Sequence, residues 1–274
     1  MKSAYVVGEA LIDLINVGGN LSAHVGGGPA NTAYGTLIES ELIESGVDLS
    51  AVNRSTLPTA LARAVIDENG VARYEFELEG TATFAFSSEW LPKELVDVVH
   101  VGSVATLVEP GASELFKWVS ELDAVVVFDP NVRPSIEGDV SLYRDAVEKW
   151  VSVSDVVKLS EDDLSWLYSE SEESVVSRWL NSGVSLVVVT LGAAGLRAYG
   201  NGFDISVPGA SISLVDTVGA GDTIGAVLVE GVLNNGLAGL MDEKVLRAVL
   251  ERAVFAAGIT CSRAGANPPW KDEL

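Results

Sequence analysis

The chain has 274 residues, 48% of them hydrophobic, and carries 17 Lys and Arg against 39 Asp and Glu, a formal net charge of −22. That balance argues against a nucleic-acid binder, which must neutralise phosphates with basic side chains, and disfavours an anionic membrane surface for the same reason. Length and apolar content suit one large core, so 1–274 is expected to form one domain. Cys261 is the single cysteine, which leaves no intrachain disulfide, no cysteine zinc cluster and no redox pair. The N-terminus meets Glu9 and Asp13 before a signal-peptide core could form, and no apolar run reads as transmembrane, so a cytoplasmic location is expected. The last residues, Lys271-Asp272-Glu273-Leu274, spell a retention signal that needs a signal peptide to be read.

Tyr5 to Gly8 reads as a short buried strand, and Glu9 to Ile15 is an apolar run interrupted by Asp13. A carboxylate there needs a partner; it can accept from two neighbouring hydroxyls of a sugar, or simply sit at a strand end in solvent. Val17 to Leu21 is a hairpin turn, followed by Gly26-Gly27-Gly28-Pro29-Ala30-Asn31, a tight backbone approach feeding a helix. His24 beside it reads as hydrogen-bonded structure or as a ligand. Ala60 to Asp67 and Val71 to Glu79 flank Glu68-Asn69-Gly70, a strong hairpin signal, and the two hairpins together supply a small sheet. Phe84 then either packs on a ligand or joins the core.

Val98 to Ser103 and Ala124 to Asp129 are continuous apolar runs of strand length, as buried parallel strands are, separated by a helix over Ala112 to Leu122. Pro130-Asn131-Val132-Arg133 follows, placing Asp129, Asn131 and Arg133 where doubly wound sheets present ligand groups. Arg133 is a candidate cation for substrate or phosphate, with a structural salt bridge as the alternative. Val156 to Leu164 passes from strand to helix through Lys158 and the cap residue Ser160, and Ser185 to Gly195 is a strand entering a glycine turn. No Walker lysine loop and no dinucleotide fingerprint occurs.

The strand-like run Ala210 to Val215 leads into Asp216-Thr217-Val218-Gly219-Ala220-Gly221-Asp222-Thr223, and Ile224 to Leu233 suits a buried helix. Glycines let backbone approach a ligand, and the unpaired amides of a helix start favour an anion. Asp222 in that place suits a base that takes a proton from the group attacking the anion, the pairing that phosphoryl transfer to a hydroxyl requires. An ordinary glycine turn with Asp222 as a helix cap is the plain alternative. A long helix over Lys244 to Thr260 and the loop Arg263 to Pro269 close the chain.

The octet matches D-T-x-G-A-G-D at every fixed position and resembles the second signature of the ribokinase-like (PfkB) sugar kinases. Asp13 in G-E-A-L-I-D, G-G-G-P-A-N, D-P-N-V-R, T-L-G-A-A-G and the terminal G-A-N-P extend the likeness nearly end to end, most like bacterial fructokinases. The resemblance implies an α/β fold with a mostly parallel sheet flanked by helices and a small β lid, from strands at about 14–25 and 60–79. It implies Asp222 as general base with Gly219, Ala220 and Gly221 as anion-hole amides, and a sugar held by Asp13, Gly27, Gly28 and Asn31, with Phe84 and Arg133 nearby. Lys158, Ser160, Thr190, Gly192, Gly195 and Asn267 would face ATP, Mg²⁺ would bridge its phosphates, and Asp216 would serve a potassium ion. Where the family often has N-x-x-E this chain has Ser160 and Asp163, which leaves Asp163 as an indirect magnesium contact. Set against the family, roughly two dozen residues, a strand and half a helix, are expected to be missing between Gly35 and Thr36, through a true deletion or an omitted segment; omission is favoured, because losing them would leave adjacent core surface bare. The expected activity is phosphorylation of a primary hydroxyl, fructose to fructose 6-phosphate, with 2-keto-3-deoxygluconate, ribose and nucleosides as alternative substrates. The lid could be shared in a homodimer. A catalytically silent sugar-sensing subunit on the same fold is the reading from another class.

Overall fold

The computed structural model describes residues 2–7, 11–17, 20–26, 43–44, 46, 48–50, 52, 55–58, 60–66, 72–93 and 96–274, with backbone only at 11–17, 20–26, 62–66 and 72–75. Strands β1 (Ala4–Val7), β6 (Val98–Gly102), β7 (Val125–Asp129), β8 (Val156–Ser160) and β9 (Leu186–Thr190) pair in parallel in that order. An antiparallel hairpin, β10 (Gly195–Gly200) with β11 (Phe203–Pro208), completes a seven-stranded sheet.

The apolar runs are continuous because both faces of the sheet are covered. Val99, Val101, Val126, Phe128, Val157, Leu159, Val187 and Val189 point to one side. There they meet α1 (Gly111–Ser120), α2 (Val140–Val151), α3 (Glu161–Leu167) and α4 (Glu172–Ser182). Trp150, 1% exposed, stacks on Phe128 and meets Phe116 edge-on, while its indole N–H donates to the Thr106 carbonyl. Val98, Val127, Val156, Leu186 and Val188 face the other way, toward α5 (Ala220–Leu240) and α6 (Glu243–Cys261). Helix α5 is long and apolar enough to cross a membrane, contrary to the expectation that no run reaches that length, but half of its apolar window is buried inside the protein.

A second sheet, in the order β3-β2-β4-β5, joins two hairpins: β2 (Leu11–Val17) with β3 (Asn20–Gly26), and β4 (Leu61–Ile66) with β5 (Ala72–Glu77). The hairpins meet through parallel pairing of β2 with β4. Asp13 therefore sits on an interior strand of this small sheet, opposite His24 on one side and Ala62 on the other. Gly27, Gly28 and Asn31, and the junction of Gly35 with Thr36, lie outside the described residues.

Two expectations change. Ala210 to Val215 is not a strand: β11 ends at Pro208, which has no N–H for a ladder, and the chain leaves the sheet. Ile212, Leu214 and Val215 stay exposed, and the N–H groups of Val215 and Asp216 instead donate to the Cys261 carbonyl at the end of α6. Helix α5 begins four residues before the expected Ile224, so the whole sequence Ala220-Gly221-Asp222-Thr223 forms its first turn.

Candidate active site

The parallel strands all end at one edge of the sheet. Asp129 closes β7, Lys158 lies near the end of β8, and Ser160 pairs in register with Thr190 at the ends of β8 and β9. Lys158 Nζ lies 2.6 Å from Asp129 Oδ2, with the side chains only 6% and 5% exposed. Two charges so far from water persist because each is the other's partner. Burial penalises the Lys158 ammonium, but Asp129, Asp222 and Asp163 around it outweigh that and hold its pKa above the ordinary lysine value.

The start of α5 rests on this pair. Gly219 adopts φ +79°, a left-handed conformation that glycine takes without strain, and a Cβ there would lie 2.8 Å from Ala266 Cβ. The octet thus packs directly against the terminal G-A-N-P loop, and Asp216 reinforces the contact by accepting from the N–H groups of Val218 and Gly265. Those backbone donors lower the Asp216 pKa. Two residues on, a Cβ on Gly221 would lie 2.9 Å from Lys158 Nζ, so the glycine lets the helix settle onto the ammonium. The Thr223 hydroxyl ties the same turn to the Gly219 carbonyl and to Thr260 on α6.

Of the expected anion-hole amides, Ala220 is occupied, donating to the Thr217 carbonyl at 3.3 Å, and Thr223 N–H donates to the Gly219 carbonyl. The N–H groups of Gly219, Gly221 and Asp222 have no acceptor among the described residues. Asp222 is exposed on this first turn, beside those amides. Unpaired donors and an accessible carboxylate therefore occur together.

The remaining expected residues divide. Thr190 and Gly192 stand at the same sheet edge, Gly192 with open space where a side chain would be. Gly195 is buried, and a Cβ on it would lie 2.1 Å from the Val207 carbonyl oxygen, so the hairpin itself demands glycine there. Asn267 is exposed in the terminal loop beside Ala266. Ser160 and Asp163 form a reciprocal cap on α3, and the second Asp163 oxygen accepts from Val132 N–H at 2.9 Å. That bond joins α3 to the turn after β7, and a metal ion would compete with it. Among the described residues no three His, Cys, Asp or Glu are placed to hold a metal ion together, so a divalent ion would be held mainly by the phosphates it accompanies.

Of the two readings for Phe84, the structure favours the core: it is 2% exposed, and its carbonyl accepts from Gly111 N–H at the start of α1. Arg133 forms no ion pair among the described residues; its guanidinium donates to the Val132 carbonyl and its backbone N–H to the Tyr143 hydroxyl.

Sequence reasoning missed His100 and the pairing of Asp129 with Lys158. The signal was present, since opposite charges inside consecutive apolar strands need partners. His100 faces α5, where a Cβ on Gly225 would lie 3.3 Å from its Nε2. Burial pushes the imidazole below its ordinary pKa of 6.5, opposed by Asp129 of β7 and Asp222 of α5 and assisted by Lys158 of β8. The folded protein therefore resists a proton that the unfolded chain accepts, and stability falls as pH drops below about 6.5. His100→Gln should flatten the decline of melting temperature with acidification, and identical slopes for both proteins would remove His100 as the cause.

Residues 25–273 match the profile of the pfkB family of carbohydrate kinases. The chain is 30% identical over 231 residues to a fructokinase of Rhizobium leguminosarum bv. trifolii, covering 80% of this chain and 70% of that protein. It is 27% identical to a Klebsiella pneumoniae fructokinase, covering 98% and 97%. A double mutant of the Vibrio cholerae O395 fructokinase, in its fructose-, ADP- and potassium-bound form, superposes with a TM-score of 0.84 at 23% identity, over 97% of this chain and 94% of that one. With a ribokinase-like sheet, a glycine-capped helix start and a profile match over nearly its whole length, the chain belongs to the pfkB family of carbohydrate kinases and is a sugar phosphotransferase.

Proposed function

We propose that this enzyme transfers the γ-phosphoryl group of ATP to a primary hydroxyl of fructose, giving fructose 6-phosphate and ADP. The observation that carries the reading is the exposed Asp222 carboxylate beside the unpaired amides of Gly219, Gly221 and Asp222 at the start of α5. Asp222 takes the proton of the attacking hydroxyl as its oxygen bonds to the γ-phosphorus and the bond from that phosphorus to the β–γ bridging oxygen breaks. The three amides receive the charge on the transferring group, each worth about 3 kcal/mol where such donors have been removed singly. ATP lies along the carboxyl edge between Thr190–Gly192 and the octet, and a Mg²⁺ held by its phosphates would offset their charge. Asp13, on the interior strand of the small sheet, accepts from sugar hydroxyls, and Gly27, Gly28 and Asn31 complete the sugar site. Potassium fits beside Asp216, whose bonds already draw the octet onto the terminal loop.

Fructose is preferred over 2-keto-3-deoxygluconate and nucleosides because the named relatives are fructokinases. Purified protein given ATP, Mg²⁺ and a panel of sugars should release ADP fastest with fructose. Faster release with another sugar would move the substrate within the family, and sugar-independent baseline rates throughout would leave a silent sugar-binding subunit.

A further inference from the structure

The Asp129–Lys158 pair presents a physical puzzle. A helix start carries the positive end of the helix dipole, so a cation placed against it is repelled. Yet Lys158 Nζ lies under the first turn of α5, 2.9 Å from where a Cβ on Gly221 would stand, so a side chain there would have to displace the ammonium. Lys158 is 5% exposed and its ammonium is bonded to Asp129, so it does not reach out to a ligand from where it stands. As a structural device the arrangement is poor, because apolar residues of similar volume commonly replace a buried ion pair with no loss of stability. Buried charge kept against a functional element points instead to the chemistry there.

We propose that Lys158 is a positioning residue for phosphoryl transfer, acting through the backbone of Gly221 rather than by touching the nucleotide. Its fixed charge lies behind the unpaired amides of Gly219, Gly221 and Asp222 and adds to the positive potential they aim at the transferring group. Asp129 anchors the ammonium at 2.6 Å and keeps it from swinging outward onto the ground-state phosphates. The benefit is therefore greatest when negative charge spreads over the phosphoryl group at the transition state. Lys158, first expected to bind nucleotide directly, takes an indirect part.

This inference rests on the kinase reading above, and the test separates the two. Asp129→Asn with Lys158→Met removes both charges together and leaves no uncompensated ion. The double variant should melt within a few degrees of the wild type and keep KM for sugar and ATP within about threefold, while kcat falls about tenfold or more, the equivalent of about 1.4 kcal/mol in the barrier. Affinity for ADP with fluoroaluminate and sugar, which mimics the transferring phosphoryl, should weaken in parallel with kcat, while affinity for ADP alone should not. If the double variant does not fold, Lys158→Gln, which keeps a hydrogen bond to Asp129 without the charge, carries the same expectations for kcat and fluoroaluminate affinity, but melts lower than the wild type because Asp129 is left without its counter-ion. Wild-type kcat and fluoroaluminate affinity in either variant would overturn the proposal. A wild-type protein inactive with every sugar would instead overturn the kinase reading.

Discussion

Replacing Asp222 by Asn should lower kcat about 10²- to 10⁴-fold, the usual worth of a positioned general base, with little change in sugar affinity. The amide keeps the size of the side chain and removes its ability to take a proton. Asp222 is exposed and Gly219, not Asp222, occupies the cap position of α5, so the substitution disturbs no packing or capping bond on which the fold depends. Thermal unfolding of the variant should match the wild type. A variant that turns over at the wild-type rate would end the assignment of Asp222 as base. A variant equally slow but unable to bind sugar would show that the carboxylate acts on binding instead.

Lys158→Met without a second change should cost about 3–5 kcal/mol of stability, because it leaves the Asp129 carboxylate buried without its partner. Adding Asp129→Asn should recover most of that loss. Urea unfolding of the wild type, both single variants and the double variant measures the coupling directly, provided the slope with denaturant stays constant. Equal stability of Lys158→Met and wild type would mean that Asp129 has another way to shed its charge. The comparison also makes the catalytic test interpretable, since only the double variant separates lost charge from lost packing.

The relation of sequence to site follows from how local each signal is. The octet was legible because its glycines and aspartates act within one turn of backbone, and Asp222 emerges on that turn. The capping of α3 by Ser160 was legible for the same reason, with Asp163 three residues on returning the bond. Strands β6 to β9 were legible because strands buried on both faces must be apolar throughout. Ala210 to Val215 carries the same apolar pattern but no ladder partner, and composition does not distinguish a strand from an extended segment laid over the end of α6. Phe84 was ambiguous because an aromatic ring suits a core and a sugar face equally, and only its position under α1 decides.

By itself, the sequence determined the buried strands, the two long C-terminal helices, the acid and the glycine turn of the octet, and the kind of chemistry they support, all of which depend on residues near one another in the chain. Tertiary structure alone decided which amides remain unpaired, that Gly195 serves the hairpin, and that Asp129, Lys158 and His100 converge beneath α5. Those outcomes depend on strand register and on how deeply a helix settles onto the sheet. Both are set by packing between segments far apart in sequence, whose energies no local pattern contains.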